Sequence, residues 1–323
     1  MEANNEVDEV RLCSVVSRES GDDPAGSATP FERCLMVEVS PPYQRNAPDS
    51  RRFPERLSEV TGKAMDGGLI QKFGAFMPDR EYSEKGIARV LFFRRPETGF
   101  FSSFEKDDLL VPLDDLAPVV EALLSGGPVP EKYRKGSPDV RDVFVCTHNN
   151  RDVCCGTFGD PVYKELRREC ADENLRVWRA SHLGGHRFAP TLMDFPSGMW
   201  WGHLDRDEAA SLVQRDSPFS DFRKNYRGWS GLGTKFEQIA EREILAEVGW
   251  RWTDFRRCGE LLSVGEDDTS AEIRIDFEDA KTGESGSYHA TVEACGSVMT
   301  LGSSGSDPLE EVTQYRVSRM ESA

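Results

Sequence analysis

The stretch from Gly126 to Pro138, Gly-Gly-Pro-Val-Pro-Glu-Lys-Tyr-Arg-Lys-Gly-Ser-Pro, holds two adjacent glycines, three prolines and few apolar residues. Such a run cannot continue a helix or a strand, so a boundary between units is expected there. At 323 residues the chain is long for one core, since domains usually hold about 100 to 200 residues. The expected division is a first unit over 1–135, a second over 136–216 and a carboxy-terminal region over 217–323. The chain is 38% hydrophobic with 18 Phe and 6 Trp, enough apolar surface to fold without a metal or disulfide staple. A bound metal would therefore serve function more than folding.

The first unit reads as mixed α/β, with apolar runs at Cys34 to Val39 and Val90 to Phe93 and a helix from Asp114 to about Leu124. After the break the pattern is denser. Val140, Val143, Phe144 and Val145 form a strand that runs into the loop Cys146-Thr-His-Asn-Asn-Arg-Asp-Val-Cys-Cys155-Gly. Asp160 to Cys170 has helical spacing, and Leu175 to Ala180 alternates as a half-buried strand before a second loop, His182-Leu-Gly-Gly-His186. Thr191 to Phe195 and Met199 to Leu204 read as two strands around Pro-Ser-Gly, and Asp205 opens a helix to about Gln214. Beyond these lie a helix over Lys235 to Val248 and short alternating segments near Ile273 to Phe277, Tyr288 to Val292 and Val298 to Leu301. The fold class is α/β shading into α+β.

A net charge of -17 repels phosphate backbones and anionic lipid, so neither nucleic acid nor a membrane surface is an expected partner. A redox partner protein with a basic docking face suits that field. The opening Met-Glu-Ala-Asn-Asn-Glu lacks the cationic and apolar regions of a leader, and no stretch approaches the roughly 18 apolar residues of a membrane span. A cytoplasmic location is expected, where eight cysteines serve as buried thiols or metal ligands rather than disulfides.

Cys146 and Cys155 on one loop, with His182 and His186 on the next, follow successive strands of one α/β unit and should face the same side. Thiolate and imidazole together suit zinc or an iron–sulfur centre, whereas magnesium and calcium want oxygen ligands. Gly184 and Gly185 keep the histidine loop from being an ordinary helix and allow close backbone approach, and Gly156 is expected to act similarly after Cys155.

Cys-x8-Cys-Gly enclosing Arg151-Asp152, followed by His-x-Gly-Gly-His, resembles the sucrase/ferredoxin-like family. Phe-Pro-Ser-Gly-Met-Trp-Trp-Gly and Tyr226-Arg227-Gly228 look like family features too. The likeness is strongest over 139 to 204 and fainter in the first unit. It implies a thioredoxin-like ferredoxin domain preceded by a degenerate thioredoxin-like one, with an α+β extension behind. It also implies a [2Fe–2S] cluster on which Cys146 and Cys155 hold one iron and His182 and His186 the other. Cys154 beside Cys155 offers a second thiol, but the family spacing and the following glycine favour Cys155. The family's name mentions sucrase, yet no carboxylate pair is set for glycoside cleavage, so sucrose hydrolysis is not expected.

Around these ligands, Arg151 and Arg187 are candidates to hydrogen-bond sulfide or to pair with Asp152, while His148 reads as an exposed loop histidine. Trp200 and Trp201 read as packing residues, and Cys13, Cys34, Cys170, Cys258 and Cys295 as structural thiols without partners. The expected function is electron transfer or redox sensing with proton coupling, more carrier than enzyme. The competing readings are a structural zinc site in an interaction module, disfavoured by the absence of Cys-x2–4-Cys spacing, and a thiol redox protein, disfavoured by the absence of Cys-x-x-Cys at a helix start.

Overall fold

The computed structural model describes residues 10–137 and 139–323. Residues 1–9, where the leader was sought, and Pro138, the end of the expected break, lie outside the described residues. In chain order the elements are α1 (Cys13–Ser20), β1 (Arg33–Glu38), α2 (Glu55–Asp66), β2 (Lys72–Phe76), β3 (Ile87–Arg94), β4 (Glu105–Pro112), α3 (Leu116–Leu124), β5 (Arg141–Cys146), α4 (Val153–Glu169) and β6 (Leu175–Ala180). There follow β7 (Leu192–Phe195), β8 (Met199–Trp201), α5 (Ala209–Gln214), α6 (Phe219–Phe222), β9 (Tyr226–Trp229), α7 (Lys235–Val248), β10 (Arg256–Val264), β11 (Ser270–Glu278), β12 (Ser285–Thr300) and β13 (Glu310–Ser322).

Nine strands form one mixed sheet in the order β4-β3-β1-β2-β6-β5-β7-β8-β9. One arrangement occurs twice in it. In the first half β1 and β2 are parallel across α2, with β3 and then β4 antiparallel on the far side of β1. In the second half β5 and β6 are parallel across α4, with β7 and then β8 antiparallel on the far side of β5. Each half is thus a parallel β-α-β unit followed by an antiparallel hairpin. The sheet runs unbroken past the Gly126–Pro138 region, because β2 and β6 pair antiparallel at their last residues, Phe76 opposite Ala180.

That junction positions the site, since the carboxy-terminal ends of β1, β2, β5 and β6 all converge there, and loops leaving the parallel strands meet where the helices leave a crevice. A buried charge network also joins the halves. Asp142 of β5 pairs with Lys106 of β4 at 2.5 Å and Arg176 of β6 at 2.8 Å, and Arg176 reaches Asp108 of β4 at 2.8 Å.

Some boundaries differ from expectation. The helix expected from Asp160 begins at Val153, so Cys155 lies on a helix and not in a loop; Gly156, Gly159 and Pro161 hide its first turns from a propensity reading. The segments at Tyr288 to Val292 and Val298 to Leu301 are one strand, β12, interrupted by register shifts near Ala294. It belongs to a four-stranded antiparallel sheet, β10-β11-β12-β13, that lays Ile273, Ile275, Ala290 and Val292 toward Phe236, Ile239 and Ile244 of α7. β10 and β13 escaped notice because most of their residues face solvent and show no apolar alternation.

Candidate metal centre

β5 ends at Cys146, fully buried, and the chain turns through Thr147–Arg151 into α4. Asp152 caps that helix: its backbone is extended and its side chain accepts the Cys154 N–H at 2.9 Å. The cap sets the first turn so that Cys155 comes back beside Cys146. Cys146, Cys155 and His182 have donor atoms all within 4.8 Å of one another. His186 stands outside that set, its ring centroid 5.4 Å from that of His182 and its Nε2 4.0 Å from Asp152 Oδ2. The Nδ1 atoms of both histidines are buried with no hydrogen-bond partner among the described residues. Buried polar atoms are ordinarily paired, so two unpartnered imidazole nitrogens beside two thiols fit a set of metal ligands.

The histidine loop is held by Lys72, which nothing in the sequence marks, and by Arg227 of the Tyr226-Arg227-Gly228 motif. Lys72 Nζ donates to the Leu183 carbonyl at 2.5 Å, and Arg227 Nη1 donates to the Gly184 carbonyl at 3.0 Å. Gly185 has φ 68°, and a Cβ there would meet Arg227 Nη2 at 2.5 Å, so glycine serves both the left-handed turn and the guanidinium behind it. Gly156, by contrast, sits in regular helix, where a Cβ would run into Asn149 Oδ1 at 2.5 Å; its smallness makes room for the loop.

His148 is buried, not exposed as expected. Its Nε2 lies 2.8 Å from the Gln44 carbonyl, which requires that nitrogen to carry the proton, and its Nδ1 accepts the His182 backbone N–H at 3.1 Å. The loop after β1 thereby braces the loop after β6. Arg187 pairs with Asp22 at 2.9 Å, and Arg151 forms no ion pair with Asp152 or another carboxylate among the described residues. Arg151, Arg45, His148 and His182 line a cavity of about 210 Å³ that opens beside the site. Trp200 and Trp201 are buried, as packing residues should be, although Trp200 also lies 5.1 Å from Lys72 Nζ and 5.2 Å from the Arg227 guanidinium.

The electrostatics favour one thiolate at each sulfur pair. A hydrogen bond from Cys155 holds Cys146 well below the usual thiol range, helped by His182, while the same contact pushes Cys155 up. Burial lowers both His148 and His186, which favours neutral imidazoles; of the two only His186 keeps a buried ring nitrogen without a partner among the described residues. Burial also lowers Lys72 to about 8 and Arg227 to about 9, so two desolvated cations flank the histidine loop.

Cys13, expected to be a structural thiol without a partner, is a neighbour of Cys154, with sulfurs 3.7 Å apart. Cys154 is lowered to about 7, first by its hydrogen bond from Cys13, and Cys13 is raised by the same bond. Cys34 and Cys170 are buried as expected, whereas Cys295 is exposed and belongs to no core.

The description that matches this chain is Sucrase/ferredoxin-like, over residues 24–228. The chain belongs to the sucrase/ferredoxin-like family. Its relatives include "Altered inheritance of mitochondria protein 32" from Clavispora lusitaniae, 26% identical over 59% of this chain and 66% of that protein. Proteins of the same name from Meyerozyma guilliermondii and Debaryomyces hansenii are 28% and 31% identical over 28% and 22% of this chain, and 36% and 29% of theirs. The matches thus span from about a third to two thirds of those relatives' lengths. Among solved structures, a thioredoxin-like [2Fe-2S] ferredoxin from Aquifex aeolicus is similar at 16% identity and TM-score 0.21, over 24% of this chain and 79% of that one. No helix of the described residues is long and apolar enough to cross a membrane.

Proposed function

We propose that this chain carries a [2Fe–2S] cluster on Cys146, Cys155, His182 and His186 and works as an electron carrier or redox sensor. The reading rests chiefly on the meeting of two buried thiols with two buried, unpartnered imidazole nitrogens at the junction of the two half-sheets. His186 stands off from the other three donors, which suits a centre of two metal ions better than a single tetrahedral ion drawing four atoms to one point. When bound, such a cluster accepts and returns one electron, at a higher potential with imidazole ligands than with four thiolates.

The protein's own groups prepare for this. Cys146 is held well below the usual thiol range, which favours its thiolate, and the proton held on Cys155 leaves for solvent as metal binds. Lys72 and Arg227 place positive charge behind the histidine loop, which favours the reduced, more negative state. A proton taken up with the electron can be held at His186 Nε2, which faces the Asp152 carboxylate. The overall charge of -17 attracts a basic partner face at long range, while Arg45 and Arg151 beside His182 offer a local contact to an acidic side chain. Eight free cysteines are consistent with work in a reducing compartment such as the cytoplasm.

The test is an anaerobic purification followed by iron analysis, a visible spectrum and dithionite reduction. Two irons per chain with bands that bleach on reduction, and a midpoint that falls as pH rises, are the expected results. A colourless protein with zinc on these four residues would end the proposal.

A further inference from the structure

A second group of ligands lies behind the first. Cys13 opens α1, Asp152 and Cys154 begin α4, and Ser304 lies in the turn between β12 and β13, so three remote parts of the chain meet at one point. Cys13 Sγ is 3.7 Å from Cys154 Sγ, 3.6 Å from Asp152 Oδ1 and 3.5 Å from Ser304 Oγ. Ser304 Oγ is 3.2 Å from Cys154 Sγ and 2.7 Å from Asp152 Oδ1. Cys13 and Cys154 are fully buried and Asp152 is 6% exposed.

Those four atoms lie close enough together to share one small ion. Two sulfurs about 2.3 Å from a tetrahedral zinc ion stand about 3.8 Å apart, and a sulfur and an oxygen at zinc-ligand distances about 3.6 Å apart. The three edges that involve Cys13, to Cys154, Asp152 and Ser304, come close to those lengths, while the Cys154–Ser304 edge, at 3.2 Å, is shorter. The oxygen–oxygen edge is shorter, because Ser304 Oγ donates to Asp152 in its place. Asp152 divides its two oxygens between the sites, Oδ1 toward Cys13 and Ser304, Oδ2 toward His186 and the Ser304 backbone N–H at 2.8 Å.

We propose that Cys13, Cys154 and Asp152, with Ser304 Oγ as a weak fourth donor, bind a divalent zinc-class ion distinct from the centre on Cys146. Two thiolates and a carboxylate suit zinc, and each thiol gives its proton to water as the ion enters. The ion clips α1 and the β12–β13 turn onto the capped start of α4. The proposal uses none of the four residues assigned to the cluster, so either can fail alone.

The deciding experiment is zinc and iron analysis of the full chain produced with both metals, joined to X-ray absorption at the zinc edge. About one zinc per chain is expected, with sulfur near 2.3 Å, oxygen near 2.0–2.2 Å and no imidazole scattering. Cys13→Ser should lose the zinc and keep both the iron and the visible bands, and Ser304→Cys should hold zinc with a third sulfur. Wild-type protein with less than about a tenth of a zinc per chain would overturn the proposal. So would zinc with an imidazole signature, or a Cys13–Cys154 disulfide found by peptide mapping of protein prepared under reducing conditions. If Cys13→Ser fails to fold, the wild-type absorption spectrum alone decides.

Discussion

The two halves of the nine-stranded sheet share a strand order and differ in what stands at the end of the first strand. β5 ends in Cys146, and β1 ends in Glu38. Both positions are buried, and both open into a loop at the junction. In the first half the place is filled by a carboxyl that burial holds up at about 7, beside a cavity of about 460 Å³ lined by Arg52, Asp79, Arg80 and Ser83. In the second half it is filled by a thiol facing another thiol and an imidazole. All 5 histidines of the chain lie in or beyond the second half, and Cys34 is the first half's only strand cysteine. Topology therefore supplies a place where loops converge, and side chains decide whether it holds metal. The bare half still serves the other: the loop after β1 provides the Gln44 carbonyl that orients His148, and β2 provides Lys72.

The largest expected effect is on the metal itself. Cys146→Ser should abolish the visible bands and the bound iron, while Ser40→Ala in the matching loop of the first half should leave both intact; equal loss from both would break the comparison. Next in size is the charge network joining the halves. Asp142→Asn leaves Lys106 buried without its ion-pair partner and Arg176 with Asp108 alone, and urea titration should show a loss of about 3–5 kcal/mol. A loss under about 1 kcal/mol would mean that this network adds little to the join made by β2–β6 pairing and apolar contact. Third comes His182→Cys, which returns negative charge to the centre. Voltammetry should show the cluster retained with its midpoint lower by on the order of 100 mV; an unchanged midpoint would remove His182 from the ligand set.

Legibility follows the same division. β6 and α7 could be read to the residue because their apolar positions repeat at one period and their ends carry clear signals, Thr234 with Glu237 closing a capping box on α7. The four candidate ligands stand out in the sequence by residue type and spacing, and the structure brings Cys146, Cys155 and His182 together while His186 stands outside that set. The supporting groups were another matter. Lys72 and Gln44 act through single long-range hydrogen bonds and Ser304 through several, and nothing local marks a lysine that will point at a carbonyl over a hundred residues away. His148 misled because a polar loop composition predicts exposure, whereas its burial comes from the loop of the other half packing over it. Cys13 looked partnerless because its partner is set by tertiary contact and not by spacing.

The smallest effects are pH-dependent stabilities, and the two halves should show them with opposite signs. His203, buried beside Ser17 and Arg18, is lowered to about 3 by burial and then by Arg18, below its ordinary 6.5. Between those values the unfolded chain binds the proton and the folded one does not, so this contribution is complete above about 6.5 and lost as pH falls toward 3. Asn tolerates the left-handed backbone of His203 at φ 52°, so His203→Asn should flatten the acid limb of a urea-stability profile by about 2 kcal/mol, less than the full linkage because water reaches the site on partial opening. Glu38 runs the other way. Its carboxyl is raised from 4.5 to about 7, so the folded chain holds the proton that the unfolded chain releases, and stability falls as pH rises from 4.5 through 7. Glu38→Gln should remove that alkaline loss, worth about 1–2 kcal/mol at pH 8, without shifting the visible spectrum. A spectral shift would mean that the first half's buried carboxyl is felt at the thiols of the second, and that the two places are one site.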